Sequence, residues 1–154
     1  MPERWRIFCL ALNEIQLKTD FAAHAFVLMG NHFHVLFSTR SQKEHILAEE
    51  FHQTLTTLCN KTWEALEEPL FCDPILSAEY YKNAYKYVYR NPLEAGLCRT
   101  VEEYEYSSLR SLLGYSKLDA PVIDNMGLIH RPIKILDWLN HESIEFNTAF
   151  ITKV

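Results

Sequence analysis

The sequence predicts an α+β domain, on three observations. An apolar period of helical spacing opens the chain, two short β-rich runs meeting at a Gly-Asn pair follow it, and capped helical stretches fill most of the remainder. At 154 residues, with 48% hydrophobic and 13% aromatic residues, the chain suits one globular domain with a real core. Only four glycines favours helices over a turn-rich β-sandwich.

Residues 4–18 place Trp5, Phe8, Cys9, Leu12, Ile15 and Gln16/Leu17 at helical spacing, predicting a first helix with one buried stripe. Residues 24–29 and 33–38 are β-rich and are joined through Gly30-Asn31, a pair suited to the positive φ angles of a tight turn. Both runs are more apolar than alternating, which predicts helices over at least one face of the hairpin. Ser41-Gln-Lys-Glu44 has capping-box spacing and opens a helix carrying Ile46, Leu47, Phe51, Leu55, Leu58 and Trp63, broken by Glu67-Glu-Pro69. Residues 70–76 read as a short strand, restricted by Pro74 to an edge or a bulge. Ser77 caps a helix to about Arg90 that stops before Pro92, because the residue preceding proline is pushed out of the α region. Thr100-Val-Glu-Glu103 repeats the capping-box spacing ahead of a helix over 104–113 that closes at Gly114. A connection over 115–132 holds Pro121 and Pro132, and an amphipathic helix over 132–150 turns Ile135, Trp138, Leu139 and Ile144 inward.

Composition excludes several classes. Cys9, Cys59, Cys72 and Cys98 lie far apart without C-x-x-C spacing, so neither a disulfide framework nor a zinc knuckle is indicated, and reduced, packed thiols are expected. No apolar run approaches the roughly 20 residues that span a bilayer, and no signal peptide is evident; a soluble, cytoplasmic protein is expected. The net charge of −5 counts against simple electrostatic binding of nucleic acid. Locally, however, Lys82, Lys86, Arg90 and Arg99 stand against Glu94 alone, a stretch that reads either as a solvated helix face or as a phosphate-contacting patch.

Two constellations carry chemistry. His32 and His34 stand two residues apart on the second arm of the hairpin, where both imidazoles point to one face and can converge on a metal ion or a phosphate. Such a pair also arises by chance, with one histidine in the core and one at the surface. The second is Tyr80, Tyr81, Tyr85, Tyr87 and Tyr89 on the helix after Ser77. Helical spacing puts Tyr80, Tyr87 and Asn91 near one side, with Tyr81, Tyr85 and Tyr89 on a neighbouring stripe. Most such tyrosines pack in a core. A phenol becomes a nucleophile only when something lowers or bypasses its pKa of about 10, and Lys86 and Arg90 supply nearby cations.

Three segments together resemble one family. Met29-Gly-Asn-His-Phe-His-Val-Leu looks like the M-P-N-H-V-H-L-L signature of single-tyrosine HUH transposases, especially the bacterial group associated with repetitive extragenic palindromes. Tyr87-Val-Tyr-Arg-Asn-Pro-Leu-Glu-Ala-Gly-Leu is similar to that group's Y-I-x-x-N-P-V-x-A-G-L segment, and Tyr104-Glu-Tyr-Ser-Ser-Leu-Arg to its Y-P-W-S-S-Y element. The likeness spans roughly residues 5–114, and the last 40 residues match loosely.

The resemblance implies a ferredoxin-like HUH-type sheet with packed helices: a domain over 1–114, extended by a helical segment over 115–154. It implies His32, His34 and Asn91 as ligands of Mg²⁺ or Mn²⁺, and Tyr87 as the nucleophile that nicks single-stranded or hairpin DNA through a covalent 5′-phosphotyrosine. Lys82, Lys86, Arg90 and Arg99 would contact DNA, and Tyr85 or Tyr89 could stack on bases. Two departures stand out: Gly30 replaces the family's proline, and the family's first strand is missing ahead of the first helix. The second departure implies either a homodimer in which another chain covers the exposed strand edge, or a shortened relative with impaired catalysis. The competing expectations are a catalytically silent DNA-binding or assembly module on the same fold and, more remotely, a structural zinc site.

Overall fold

The computed structural model describes residues 1–40, 44–59, 70 and 72–141. Helix α1 (Pro2–Lys18) begins with proline at its first turn and Glu3 beside it, and ends at Lys18, charges that complement the helix dipole. Ile7, Phe8, Ala11, Leu12 and Ile15 recur at helical spacing and are buried, whereas Leu17 points to solvent, 79% exposed.

Strands β1 (Ala22–Leu28) and β2 (Phe33–Ser38) pair antiparallel, with Leu28 opposite Phe33 and Ala22 opposite Ser38. The connecting turn departs from expectation. Gly30 does not occupy the left-handed region, and a Cβ there would meet nothing within 4 Å. The turn is closed instead by the Met29 N–H donating to the His32 carbonyl at 2.7 Å, while Arg4 Nη1 donates to the Gly30 carbonyl at 3.2 Å. The sheet pairing skips His24, since Ala23 faces Phe37 and Ala25 faces Leu36. This bulge turns His24 and Ala25 to the same side.

Each face of the hairpin is covered. On one side α1 and α2 (Glu44–Cys59) enclose Phe26, Leu28 and Phe33, and the Phe8 ring meets those of Phe26, Phe33 and Phe51 at 5.8, 5.0 and 5.8 Å. On the other, α3 (Ala78–Glu94) lays Tyr85, Val88 and Tyr89 over Ala25, Val27 and Leu36, and Ile135 and Leu139 of α5 (Pro132–His141) complete that layer. The alternation of β2 distributes Phe33, Val35 and Phe37 to the first layer and Leu36 to the second, so His34 faces α3.

Ser77 caps α3 by accepting from the Tyr80 N–H at 3.1 Å. The helix then runs through Pro92 rather than stopping before it. Proline forfeits one helical hydrogen bond there. The stop signal is Gly96, at φ 71°, where Gly96 N–H donates to Leu93 O and Leu97 N–H to Pro92 O in a Schellman arrangement.

The segment after α3 also differs. Glu103 accepts from the Arg99 and Thr100 N–H groups as the capping-box spacing predicts, but only a 3₁₀ turn (Val101–Glu103) follows, and the helix α4 is confined to Leu109–Leu112. Residues 106–108 instead lie along the outer edge of β1: Val27 and Ser107 form an antiparallel bridge, Leu28 N–H donates to Tyr106 O at 3.0 Å, and Ser108 N–H to Phe26 O at 2.9 Å. Tyr104 Oη donates to Leu28 O at 2.8 Å, Phe26 N–H donates to Ser108 Oγ at 2.9 Å, and Ile123 N–H donates to Ala23 O. The chain thus covers this edge of its own sheet, and Ala120 and Leu128 tie the connection after Gly114 into the two core layers.

The expected strand over 70–76 is not formed by the described residues there, which are irregular and carry Pro74. Together with the outer side of β2 they wall an apolar cavity of about 430 Å³, with Phe51 of α2 and Ala84, Tyr87 and Val88 of α3. The capping residue Ser41, Trp63, the break at Glu67-Glu-Pro69 and Ile144 lie outside the described residues. Among the described residues, no helix is long and apolar enough to cross a membrane, and no disulfide joins the four cysteines.

Candidate metal and nucleophile site

The hairpin end and one turn of α3 bring four of the sequence-predicted residues together. His32 closes the turn and His34 follows on β2, their ring centroids 5.1 Å apart in an edge-to-face arrangement. Tyr87 lies across from His34, with ring centroids 5.2 Å apart. Asn91, one helical turn beyond Tyr87, places its Oδ1 3.4 Å from His32 Nε2. The i, i+4 spacing on α3 aligns Tyr87 with Asn91, and the turn closed at the His32 carbonyl carries His32, which lies just before β2 rather than on it, to the side that His34 faces.

Burial sets the electrostatics. His34 is 4% exposed, and its pKa falls to about 4, because burial disfavours the imidazolium and His32 adds repulsion; Asn91 opposes the shift. His34 is therefore a neutral imidazole at ordinary pH. Its Nε2 is buried and has no hydrogen-bond partner. Burial moves the Tyr87 phenol the other way, pushing its pKa up, partly offset by a hydrogen bond from Asn91, with Glu94 raising it further. Asn91 thus serves both halves of the cluster, its carbonyl oxygen toward His32 and its amide as a hydrogen-bonding partner of Tyr87.

A buried imidazole nitrogen without a partner, a second imidazole beside it and an amide oxygen form a donor set suited to a divalent cation. Imidazoles favour transition ions, and the carbonyl suits harder ones, so Mn²⁺ fits this mixture better than Mg²⁺. Among the described residues, no group of three or more His, Cys, Asp or Glu converges, so any cation here depends on Asn91 beside the two histidines.

The basic residues do not form one exposed patch. Lys82 and Arg99 are exposed. Lys86, in contrast, is 2% exposed, with its ammonium 5.0 Å from the Trp138 ring centroid. Arg90 donates to the carbonyls of Leu139 and Asn140 at 2.8 and 3.0 Å and pairs with Glu94, fastening α5 to α3. Both therefore depart from the expected phosphate-facing role: interior packing holds one, and helix fastening the other. Tyr85 and Tyr89 are likewise 0% and 1% exposed, which removes them from base stacking, and Tyr89 Oη shares a 2.9 Å hydrogen bond with Ser108 Oγ.

Sequence reasoning passed over Asn31 and His24. Asn31 Oδ1 lies 2.8 Å from His32 Nδ1, an arrangement that the Asn-His dipeptide could have suggested. His24 Nδ1 meets Tyr81 Oη at 2.9 Å and Asn125 Nδ2 at 2.6 Å, while Nε2 meets Ser38 Oγ at 2.8 Å. Its ring nitrogens are occupied, so it is a structural hub joining the bulge to α3 and the connection after Gly114.

No family profile matches the sequence, and no curated protein matches it either. The fold does have a solved counterpart. A structure of a REP-associated tyrosine transposase bound to a REP hairpin superimposes with a TM-score of 0.64 at 17% identity, covering 79% of this chain and 75% of that one, so the two share an α+β fold.

Proposed function

We propose that this protein is a metal-dependent single-stranded DNA nickase and strand transferase of the transposase type, acting on hairpin DNA. The observation that carries the reading is the convergence of His32, His34 and Asn91 beside Tyr87, with His34 Nε2 buried and unpartnered. The fold shared with a transposase that binds a REP hairpin supports DNA as the partner. The HUH-type character of the site belongs to the same proposal.

In this reading His32, His34 and Asn91 would hold a divalent cation, Mn²⁺ or Mg²⁺. Such an ion, when bound, withdraws charge from the phosphoryl oxygens and favours the tyrosinate. Tyr87 Oη attacks the scissile phosphorus: the Oη–P bond forms, the bond from phosphorus to the 3′ oxygen breaks, the phenol proton is released and the leaving oxygen ends as a 3′-hydroxyl. The phosphodiester energy is retained in the 5′-phosphotyrosine for rejoining. Burial holds the resting phenol protonated, so the amide of Asn91 positions it while the substrate complex completes its activation. Walls of packed core on both sides of the hairpin keep the four groups in register.

The test is incubation of the protein with single-stranded hairpin DNA labelled at its 3′ end, with Mn²⁺, Mg²⁺ or chelator. Labelled DNA should run with the denatured protein only when metal is present, and Tyr87→Phe should abolish the adduct. An adduct that persists in Tyr87→Phe would reject Tyr87 as the nucleophile. Hairpin binding without any adduct would identify a silent DNA-binding module instead.

A further inference from the structure

We infer that Asn31 is a positioning residue that fixes the tautomer of His32 and thereby makes the site a cation receptor. The inference rests on the metal-site reading above and deepens it. Both ring nitrogens of His32 face an amide oxygen, which only accepts; the contact of Nδ1 with Asn31 Oδ1, at 2.8 Å, is much the shorter of the two, which assigns the proton of the neutral ring to Nδ1. In the neutral ring Nε2 is then left with a bare lone pair. That nitrogen lies 3.4 Å from Asn91 Oδ1, a second acceptor, and neighbours the His34 ring. Two lone pairs facing each other repel, and a cation between them removes the repulsion. The opposite tautomer would donate from Nε2 to Asn91 Oδ1 and close the site with a hydrogen bond of its own.

Neutral histidine in water favours the Nε2–H form, so the protein must supply the preference for Nδ1–H. Asn31 is exposed and belongs to neither core layer, so replacing its side chain removes no core packing. The turn backbone is held independently by the Met29–His32 hydrogen bond and by Arg4 on Gly30 O. Metal-bound histidines elsewhere are oriented in the same manner by a second group on the remaining ring nitrogen.

The experiment is long-range ¹H–¹⁵N correlation of the imidazoles in the metal-free full chain under mildly alkaline conditions, with His32→Gln to assign the signal. The parent should show a pyrrole-type Nδ1 and a pyridine-type Nε2 at His32. Asn31→Ala should shift the population toward Nε2–H and weaken Mn²⁺ binding, read by electron paramagnetic resonance, by about 10-fold. Asn31→Asp keeps an acceptor and should retain Nδ1–H, and Arg4→Ala, which loosens the same turn without touching the ring, should leave the tautomer unchanged. A parent already in the Nε2–H form, or an unchanged tautomer in Asn31→Ala, overturns the inference. A parent that shows the Asn31-dependent tautomer yet binds no Mn²⁺ upholds the role of Asn31 and rejects the metal reading instead.

Discussion

Acidification should destabilise this fold through His34 in a way that a single substitution removes. The side chain is 4% exposed, and its pKa drops from 6.5 to about 4 on folding, chiefly through burial. Between those two values the unfolded chain takes up a proton that the folded chain refuses. Stability attributable to this residue is therefore complete above about pH 6.5 and is lost progressively as the pH falls toward 4. At about 1.4 kcal/mol per pKa unit the loss amounts to roughly 3 kcal/mol, a large part of the 5–15 kcal/mol typical of a domain. Urea titrations at several pH values between 7 and 4, followed by tryptophan fluorescence, would measure it. With a urea slope of about 2 kcal/mol per molar, the parent midpoint should fall about 1.5 M further than that of His34→Leu over the same interval. Parallel decline of parent and variant would show that His34 is not buried in neutral form and would refute the reasoning. In the folded chain a proton competes with the proposed metal at His34 only near its own pKa of about 4, so competition there should set in below the range in which stability declines.

Other expectations follow from the same packing. Ser108→Ala removes an acceptor from the buried Phe26 N–H and a partner from Tyr89 Oη, and should cost about 1–3 kcal/mol in denaturant unfolding. Gly96→Ala should destabilise by about 1 kcal/mol because residue 96 sits at φ 71°, whereas Gly30→Ala, in open space and outside that region, should be neutral or stabilising in thermal melts. Lys82→Ala and Arg99→Ala should each flatten the salt dependence of hairpin binding by about one phosphate contact, while Lys86→Ala should lower the melting temperature and leave that slope intact.

What the sequence disclosed and what it concealed divide along the range of the contacts. The helix over Pro2–Lys18 and the two strands were legible because apolar spacing is local, although the turn between the strands closes without the left-handed glycine that the Gly-Asn pair suggested. The meeting of His32, His34, Tyr87 and Asn91 was legible from the helical periodicity of α3 and the resemblance that joined it to the histidine pair. The fate of Lys86 was not, since Trp138 lies 52 residues downstream and only the packing of α5 on α3 brings it near. Helical spacing over 104–113 likewise misled, because pairing with β1, almost 80 residues earlier, outweighs local helix preference for Tyr106–Ser108. Pro92 misled for a local reason: it falls in the last turn, where one lost hydrogen bond is tolerated and Gly96 sets the end.

The central claim is that one tyrosine among eight, Tyr87, attacks DNA phosphorus beside a cation held by His32, His34 and Asn91. Its most direct measurement is a peptide map, by mass spectrometry, of the protein after reaction with hairpin DNA and Mn²⁺ and nuclease trimming. The map should show a nucleotide phosphate on the peptide bearing Tyr87, absent when metal is chelated. A nucleotide on any other tyrosine, or a modification that forms equally well without metal, would contradict it.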